Sequence, residues 1–218
     1  MRTFVTGLVL ALTLIGIAGC SERSEGRPAP ASPASYTMLD DGGQQLRLAF
    51  NRSMGSVRLV LLVDPTCAVC LRGLADVNAD LLATTADPRL QTFIVFEPVI
   101  GGKASDIAPA ASLLRNAHLH LFWNAGGGFG HLYATAVDLR RHGKLVNAWD
   151  VWTIYGPGAT WGDAAPPRPA LLMHQLPTLD NPGYRYLDGK VFAQAARAML
   201  AKLPARSAAP RSGSAAHE

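Results

Sequence analysis

One segment constrains the fold more than any other. Val57–Val63 (VRLVLLV) is short, β-branched and apolar, and Asp64-Pro65 stops it at once. A run of that length and composition reads as a strand buried in the middle of a sheet. A helical stretch is expected next, over 67–85, because Cys70, Leu74, Val77 and Leu81 fall at spacings that share one helix face. Asp87-Pro88 ends it. Thr92–Phe96 (TFIVF) reads as a second short apolar strand, stopped by Glu97-Pro98. Helices are expected near 104–116 and 129–140. His118–Trp123 reads as a strand or an extended connection. Ala148–Tyr155 (AWDVWTIY) reads as a strand, Pro169–Gln175 as its hairpin partner, and Val191–Leu203 as a closing helix with Phe192, Ala195, Ala196, Met199 and Leu203 inward. Weak alternation over Gln45–Phe50 suggests a further, first strand.

The cysteines bear on the chemistry. The chain has three: Cys20, Cys67 and Cys70. The last two lie three residues apart, directly after strand 57–63 and at the opening of the next helix. At a helix start the free N–H groups and the macrodipole favour an anion, here the thiolate, which is the reactive form. Cys67 is therefore expected at the exposed tip as nucleophile. Cys70, on the Leu74/Val77 face, is expected to be partly buried and to resolve a mixed disulfide. A disulfide closing so short a loop removes little chain entropy and staples poorly, so the pair is better suited to reacting than to bracing. A zinc site of the usual kind needs a second ligand pair at similar spacing, and the sequence has none.

Val60–Cys70 (VLLVDPTCAVC) resembles the active-site strand and helix start of the thioredoxin superfamily, especially its membrane-tethered periplasmic members. The element order is similar too: β-α-β-α-(α)-β-β-α, with parallel strands first and an antiparallel pair last. The resemblance implies an α/β, thioredoxin-like fold with a central mixed sheet flanked by helices, and redox roles for Cys67 and Cys70. Three features depart from the family pattern. Thr66 stands where an aromatic residue often precedes the first cysteine. The intervening dipeptide is Ala-Val. No proline lies in Lys144–Ala148, before the strand that should face the pair, where the family has a cis-proline. A peroxiredoxin register fails, because Thr66 lies one residue before Cys67 and not three.

The first residues address the compartment. Arg2 precedes an apolar run from Phe4 to Ile17, closed by Ile17-Ala18-Gly19-Cys20. This is the layout of a secretory signal, and too short for a spanning helix. Those four closing residues resemble a bacterial lipoprotein signal, which implies that residues 1–19 are removed and Cys20 is acylated. Several acyl chains, at about 0.8 kcal/mol per buried methylene, hold such a protein to the membrane. Residues 20–36, rich in Ser, Pro and Ala, then read as a flexible tether, 37–203 as the thioredoxin-like domain, and 204–218 as a disordered tail. The protein is expected in the cell envelope, lipid-anchored and facing the periplasm. The net charge of +4 is mild and no Lys/Arg-rich stripe is visible, so nucleic acid is not expected as a partner.

Further candidates follow from position. Glu97 and Asp150 sit at strand ends expected to approach the cysteine pair, and each is a candidate acceptor for the proton of Cys70. His174 supplies an alternative. The copper-delivery proteins of cytochrome oxidase assembly resemble this chain in holding two cysteines near a helix start with a distant histidine. That likeness implies a copper site at Cys67, Cys70 and His174, although the family places three residues between its cysteines and this chain has two. His118, His120, His131 and His142 show no ligand spacing, and Gly126–Gly130 reads as a turn. Three functions emerge: a membrane-anchored thiol–disulfide oxidoreductase acting on exported proteins or taking electrons from a membrane donor, with no cofactor beyond its dithiol; a copper-binding or copper-delivery protein; and a non-catalytic adaptor.

Overall fold

The computed structural model describes residues 35–204. The signal segment, Cys20, most of the tether and nearly all of the tail lie outside the described residues. Among the described residues no helix is long and apolar enough to cross a membrane.

The segment Val57–Val63 forms β2, and all seven of its residues are buried. It pairs in parallel with β3 (Leu90–Phe96), which pairs in parallel with β4 (Leu119–Trp123). On its other side β2 runs antiparallel to β7 (Val151–Tyr155), and β7 antiparallel to β8 (Leu171–His174). Two-residue strands close the edges, β1 (Thr37–Met38) beside β4 and β9 (Arg185–Tyr186) beside β8. The result is a seven-stranded mixed sheet in the order β1-β4-β3-β2-β7-β8-β9. Among the longer strands the parallel ones come first and the antiparallel pair β7–β8 follows, as the sequence predicts, while the two-residue β9 adds in parallel at the edge.

Helices cover both faces, which a sheet buried on two sides requires. One face carries α2 (Ala68–Asp80) and α5 (Gly189–Ala201), packed on Leu59, Leu61, Ile94, Trp152 and Met173. The other carries α1 (Gln44–Arg52) and α4 (Phe129–Val137), packed on Val60, Leu62, Phe93, Val95 and Val151. Alternate residues of each strand serve the two cores. The face of α2 is the predicted one: Cys70, Leu74 and Val77 are fully buried, and each of the two aliphatic side chains contributes about 1.5–3 kcal/mol on leaving water. Helix α5 starts on Asp188, whose carboxylate accepts from the N–H groups of Lys190 and Val191, satisfying two orphan donors.

The predicted first strand at Gln45–Phe50 is instead helix α1. Leu46 and Phe50 are buried four residues apart while Leu48, which completes the alternation, is 47 % exposed. Leu46 and Phe50 fit both periods, and the sheet underneath selects the helical one. The helix expected over 104–116 shortens to a 3₁₀ turn at 104–106 followed by α3 (Ile107–Ala111). Helix α4 ends at Val137, where Asp138 turns left-handed, and a small hairpin of β5 (Arg140–Arg141) and β6 (Lys144–Leu145) follows.

Arg58, fully buried at the foot of β2, ties three elements together. Its guanidinium donates to the carbonyl of Phe50 at the end of α1 and to those of Gly156 and Pro157 after β7. It also lies over the Phe50 ring, 4.1 Å from the centroid. Burial lowers its pKa to about 10, so it stays charged at neutral pH.

Candidate functional site

Asp64-Pro65-Thr66 ends β2 with a turn that aims the chain into α2. Asp64 is fully buried and its carboxylate is well satisfied. One oxygen accepts from the Thr66 N–H (2.8 Å) and hydroxyl (2.7 Å). The other accepts from the N–H groups of Ile100 (2.8 Å) and Gly102 (3.3 Å). Asp64 thus fastens the loop after β3 to the turn that carries Cys67. In the sequence this residue reads only as a strand breaker; the Asp-x-Thr spacing of an Asx-type turn is the signal that could have found it.

Cys67 is the N-cap of α2. Its backbone is extended, and its sulfur accepts the N–H of Cys70 at 3.2 Å. The sulfur therefore meets the free donors of a helix start, as the sequence predicts. Its exposure differs from the expectation. Cys67 is only 5 % exposed and Cys70 not at all, so the first cysteine is recessed and not at an exposed tip. The reason is packing: both sulfurs belong to the core cluster between α2 and the sheet. Both are free thiols.

Asp150 completes the cluster. Its carboxylate and the two sulfurs all lie within 4.8 Å of one another. It is 2 % exposed and stands immediately before β7 with a left-handed backbone (φ 54°). An aspartate tolerates that region better than most residues. The Trp152 indole N–H donates to its Oδ1 at 3.0 Å. Gln175, with its amide nitrogen turned toward these acceptors, donates to the same Oδ1 at 2.8 Å and to the Val69 carbonyl at 3.3 Å. The Gln175 backbone N–H bonds the Asp150 carbonyl at 3.1 Å. One amide therefore links the start of α2 to the residue before β7. Gln175 carries no sequence signal beyond its place at the end of the hairpin strand.

Burial shifts both titrating partners toward their neutral forms. The Asp150 carboxyl rises to about 6, and hydrogen bonds from Trp152 and Cys70 hold it below where burial alone would put it. The Cys70 thiol is pushed far above its ordinary range by burial and, secondarily, by the nearby Asp150 charge. Cys70 accordingly keeps its proton until a base removes it.

A glycine one turn along α2 makes this packing feasible. A Cβ on Gly73 would lie 2.4 Å from the Trp152 ring and 2.4 Å from the Gln175 amide. The two groups that orient Asp150 thus press against bare helix backbone.

The other candidates lie elsewhere. Glu97 does not face the sulfurs. Phe96 packs on the α2 side, so the next residue turns to the other side of the sheet. There Glu97 is fully buried and accepts from the Gly130 N–H of α4 at 2.7 Å. Burial raises its carboxyl to about 7. Its second oxygen and the Asn147 side-chain oxygen both crowd Gly130, 2.6 Å and 2.3 Å from where a Cβ would stand, and the Asn147 side chain beside Glu97 works against the rise.

His174 does not join the sulfurs either. It pairs with Val151, which faces the α1/α4 core, whereas its neighbour Met173 faces the α2 core. Its Nδ1 lies 3.1 Å from the Leu176 carbonyl and its ring meets Tyr186 edge-on. The copper set Cys67, Cys70 and His174 is therefore not assembled. Among the described residues the group of potential ligands that converges is Cys67, Cys70 and Asp150.

Comparison with known proteins adds no family. Neither the family models, the curated proteins nor the solved structures give a significant match to the chain.

Proposed function

We propose that the protein is a thiol–disulfide oxidoreductase of thioredoxin-like type, held to the outer face of a bacterial membrane through acylated Cys20. The observation that carries the reading is the vertical arrangement at the start of α2: the Cys67 sulfur caps the helix, and Cys70 lies one turn deeper against a buried carboxylate. The parallel β2–β3 pair, the antiparallel β7–β8 pair and the closing helix α5 support the thioredoxin-like frame. The signal-like sequence through Cys20 supports the anchor.

The exchange balances within the dithiol. The Cys67 thiolate attacks a disulfide in an exported protein. A bond forms between Cys67 and one substrate sulfur, and the other substrate sulfur leaves as a thiolate and takes a proton from water. Cys70 then passes its proton to Asp150 and attacks the Cys67 sulfur. The bond between Cys67 and the substrate sulfur breaks, that sulfur leaves as a thiolate and takes the proton from Asp150, and the chain now holds a Cys67–Cys70 disulfide. Two electrons have moved to the substrate, and a membrane dithiol donor restores the chain. With an oxidised chain the same steps run in reverse.

The test uses the full chain in detergent with Cys20→Ser, so that Cys67 and Cys70 are its only thiols, in buffer containing a chelator. Equilibration with glutathione should give a single two-electron transition. Adding Cys67→Ser should abolish exchange with a disulfide substrate, and adding Cys70→Ser should trap a mixed disulfide at Cys67. A parent chain whose thiols do not equilibrate with glutathione in the folded state would sink the reading.

A further inference from the structure

We propose that Cys67, Cys70 and Asp150 bind one zinc ion in the reduced protein, a second use of the same three side chains that does not depend on the exchange reaction. Two elements supply the donors: the N-cap and first turn of α2 give two sulfurs, and the residue before β7 gives a carboxylate. The missing second ligand pair of an ordinary zinc site is thus replaced by a single acid brought in by the sheet.

The distances suit a small tetrahedral ion. Zinc sits about 2.3 Å from thiolate sulfur and about 2.0–2.2 Å from carboxylate oxygen, which puts neighbouring donors roughly 3.5–3.8 Å apart. The three donor atoms, already within 4.8 Å of one another, reach that spacing through small side-chain rotations. The carboxylate is pre-oriented. Trp152 and Gln175 both donate to Oδ1, which leaves Oδ2 for a ligand. Outer partners that fix a metal-binding acid in this way strengthen such sites. Cys67 retains the group's small opening to solvent, where a water can take the fourth position.

The donor set chooses among metals. Two thiolates exclude magnesium and calcium, which take oxygen ligands. A carboxylate as third donor disfavours copper(I), which prefers thiolate, thioether and imidazole, and the imidazole of His174 is turned to the other side of the sheet. A borderline ion that accepts both sulfur and oxygen fits best, and that is zinc. Binding involves no electron transfer. The ion replaces the protons of the two thiols, which pass to solvent, and forms two Zn–S bonds and one Zn–O bond. A Cys67–Cys70 disulfide offers no thiolate, so the oxidised chain does not bind, and a zinc-bound dithiol cannot attack a disulfide.

The experiment takes the reduced full chain with Cys20→Ser, in detergent, and titrates zinc against a chromophoric chelator, with cobalt(II) as the optical probe. The expected result is one zinc per chain and release of two thiol protons. Cobalt should give a thiolate charge-transfer band with strong tetrahedral ligand-field absorption. Asp150→Asn should weaken zinc at least tenfold and move the cobalt spectrum, His174→Ala should change neither, and the disulfide form should bind nothing. X-ray absorption of the zinc-loaded chain with Asp150 intact should show two sulfur and two lighter neighbours. Undiminished affinity in Asp150→Asn, a shell of four sulfurs shared by two chains, or no stoichiometric zinc in the reduced chain overturns the proposal. Exchange is measured with chelator present, so failure there is distinct from failure here.

Discussion

The Cys70 sulfur and the Asp150 carboxylate meet within 4.8 Å, one from the first turn of α2 and the other from the residue that leads into β7. Both are buried. This relationship places the carboxylate within reach of a proton that burial otherwise keeps on sulfur. Asp150→Asn preserves the shape and removes the acceptor. The resolving step should slow by at least about tenfold, since a positioned base typically contributes 10²–10⁴. The first attack by Cys67 should change less. Quenched mass spectrometry of the reaction should show the mixed disulfide accumulating in the variant and not in the parent.

Gly73→Ala places a methyl group where the Trp152 ring and the Gln175 amide now stand. Overpacking of this kind costs roughly 1–3 kcal/mol. Because those two groups orient Asp150, the loss should extend beyond stability: urea denaturation should give a lower midpoint, and the glutathione equilibrium should shift. An unchanged midpoint would mean that the ring and amide move aside freely.

Asp64→Ala leaves the N–H groups of Thr66, Ile100 and Gly102 without their carboxylate. Hydrogen bonds to a charged group contribute about 1.5–3 kcal/mol each and do not add simply, so a loss of about 3 kcal/mol is expected. The loop at 98–102 should loosen first. Amide hydrogen exchange should rise at Ile100 and Gly102 before it rises in β2. Equal protection in both chains would refute the fastening role.

Glu97 gives a pH signature. Its carboxyl rises from an ordinary 4.5 to about 7 in the folded protein, chiefly through burial. The folded state then holds a proton that the unfolded state has released, so stability falls as pH rises from about 4.5 to about 7 and levels off above that. Glu97→Gln keeps the Gly130 hydrogen bond without the titration. The parent should lose up to about 3 kcal/mol relative to the variant between about pH 4.5 and about pH 8, since each tenfold change in proton affinity corresponds to about 1.4 kcal/mol. Urea melts of both proteins at the two pH values measure it, and parallel curves would count against a buried titrating carboxyl.

Much of the architecture is legible because composition and period agree. Val57–Val63 has one reading, and so has the Cys70, Leu74, Val77 stripe. Gln45–Phe50 has two, since Leu46, Leu48 and Phe50 alternate while Leu46 and Phe50 also lie one helical turn apart, and only the surface underneath decides. At the site, a parity of one residue separates the candidates. Asp150, turned left-handed just before β7, meets the sulfurs on the side of the sheet that Trp152 faces. Phe96 and Met173 take that face on their strands, so Glu97 and His174 are sent to the other core. Strand-end acids can be picked out from sequence, but which side each serves requires the register. The Asp64–Thr66 turn could be read from its spacing, but the reach of Asp64 to Ile100 and of Gln175 to Val69 could not, because a loop and a helix start carry no pattern of their own.

In the proposed exchange, a sulfur as little exposed as that of Cys67 would select partners by width. A broad folded surface cannot bring its own sulfur down to it, whereas a single unfolded strand or a slender peptide loop can. The protein should therefore discriminate less by the sequence around a target bond than by whether that bond lies on a strip of chain thin enough to enter, and nascent or damaged clients should be handled ahead of finished ones.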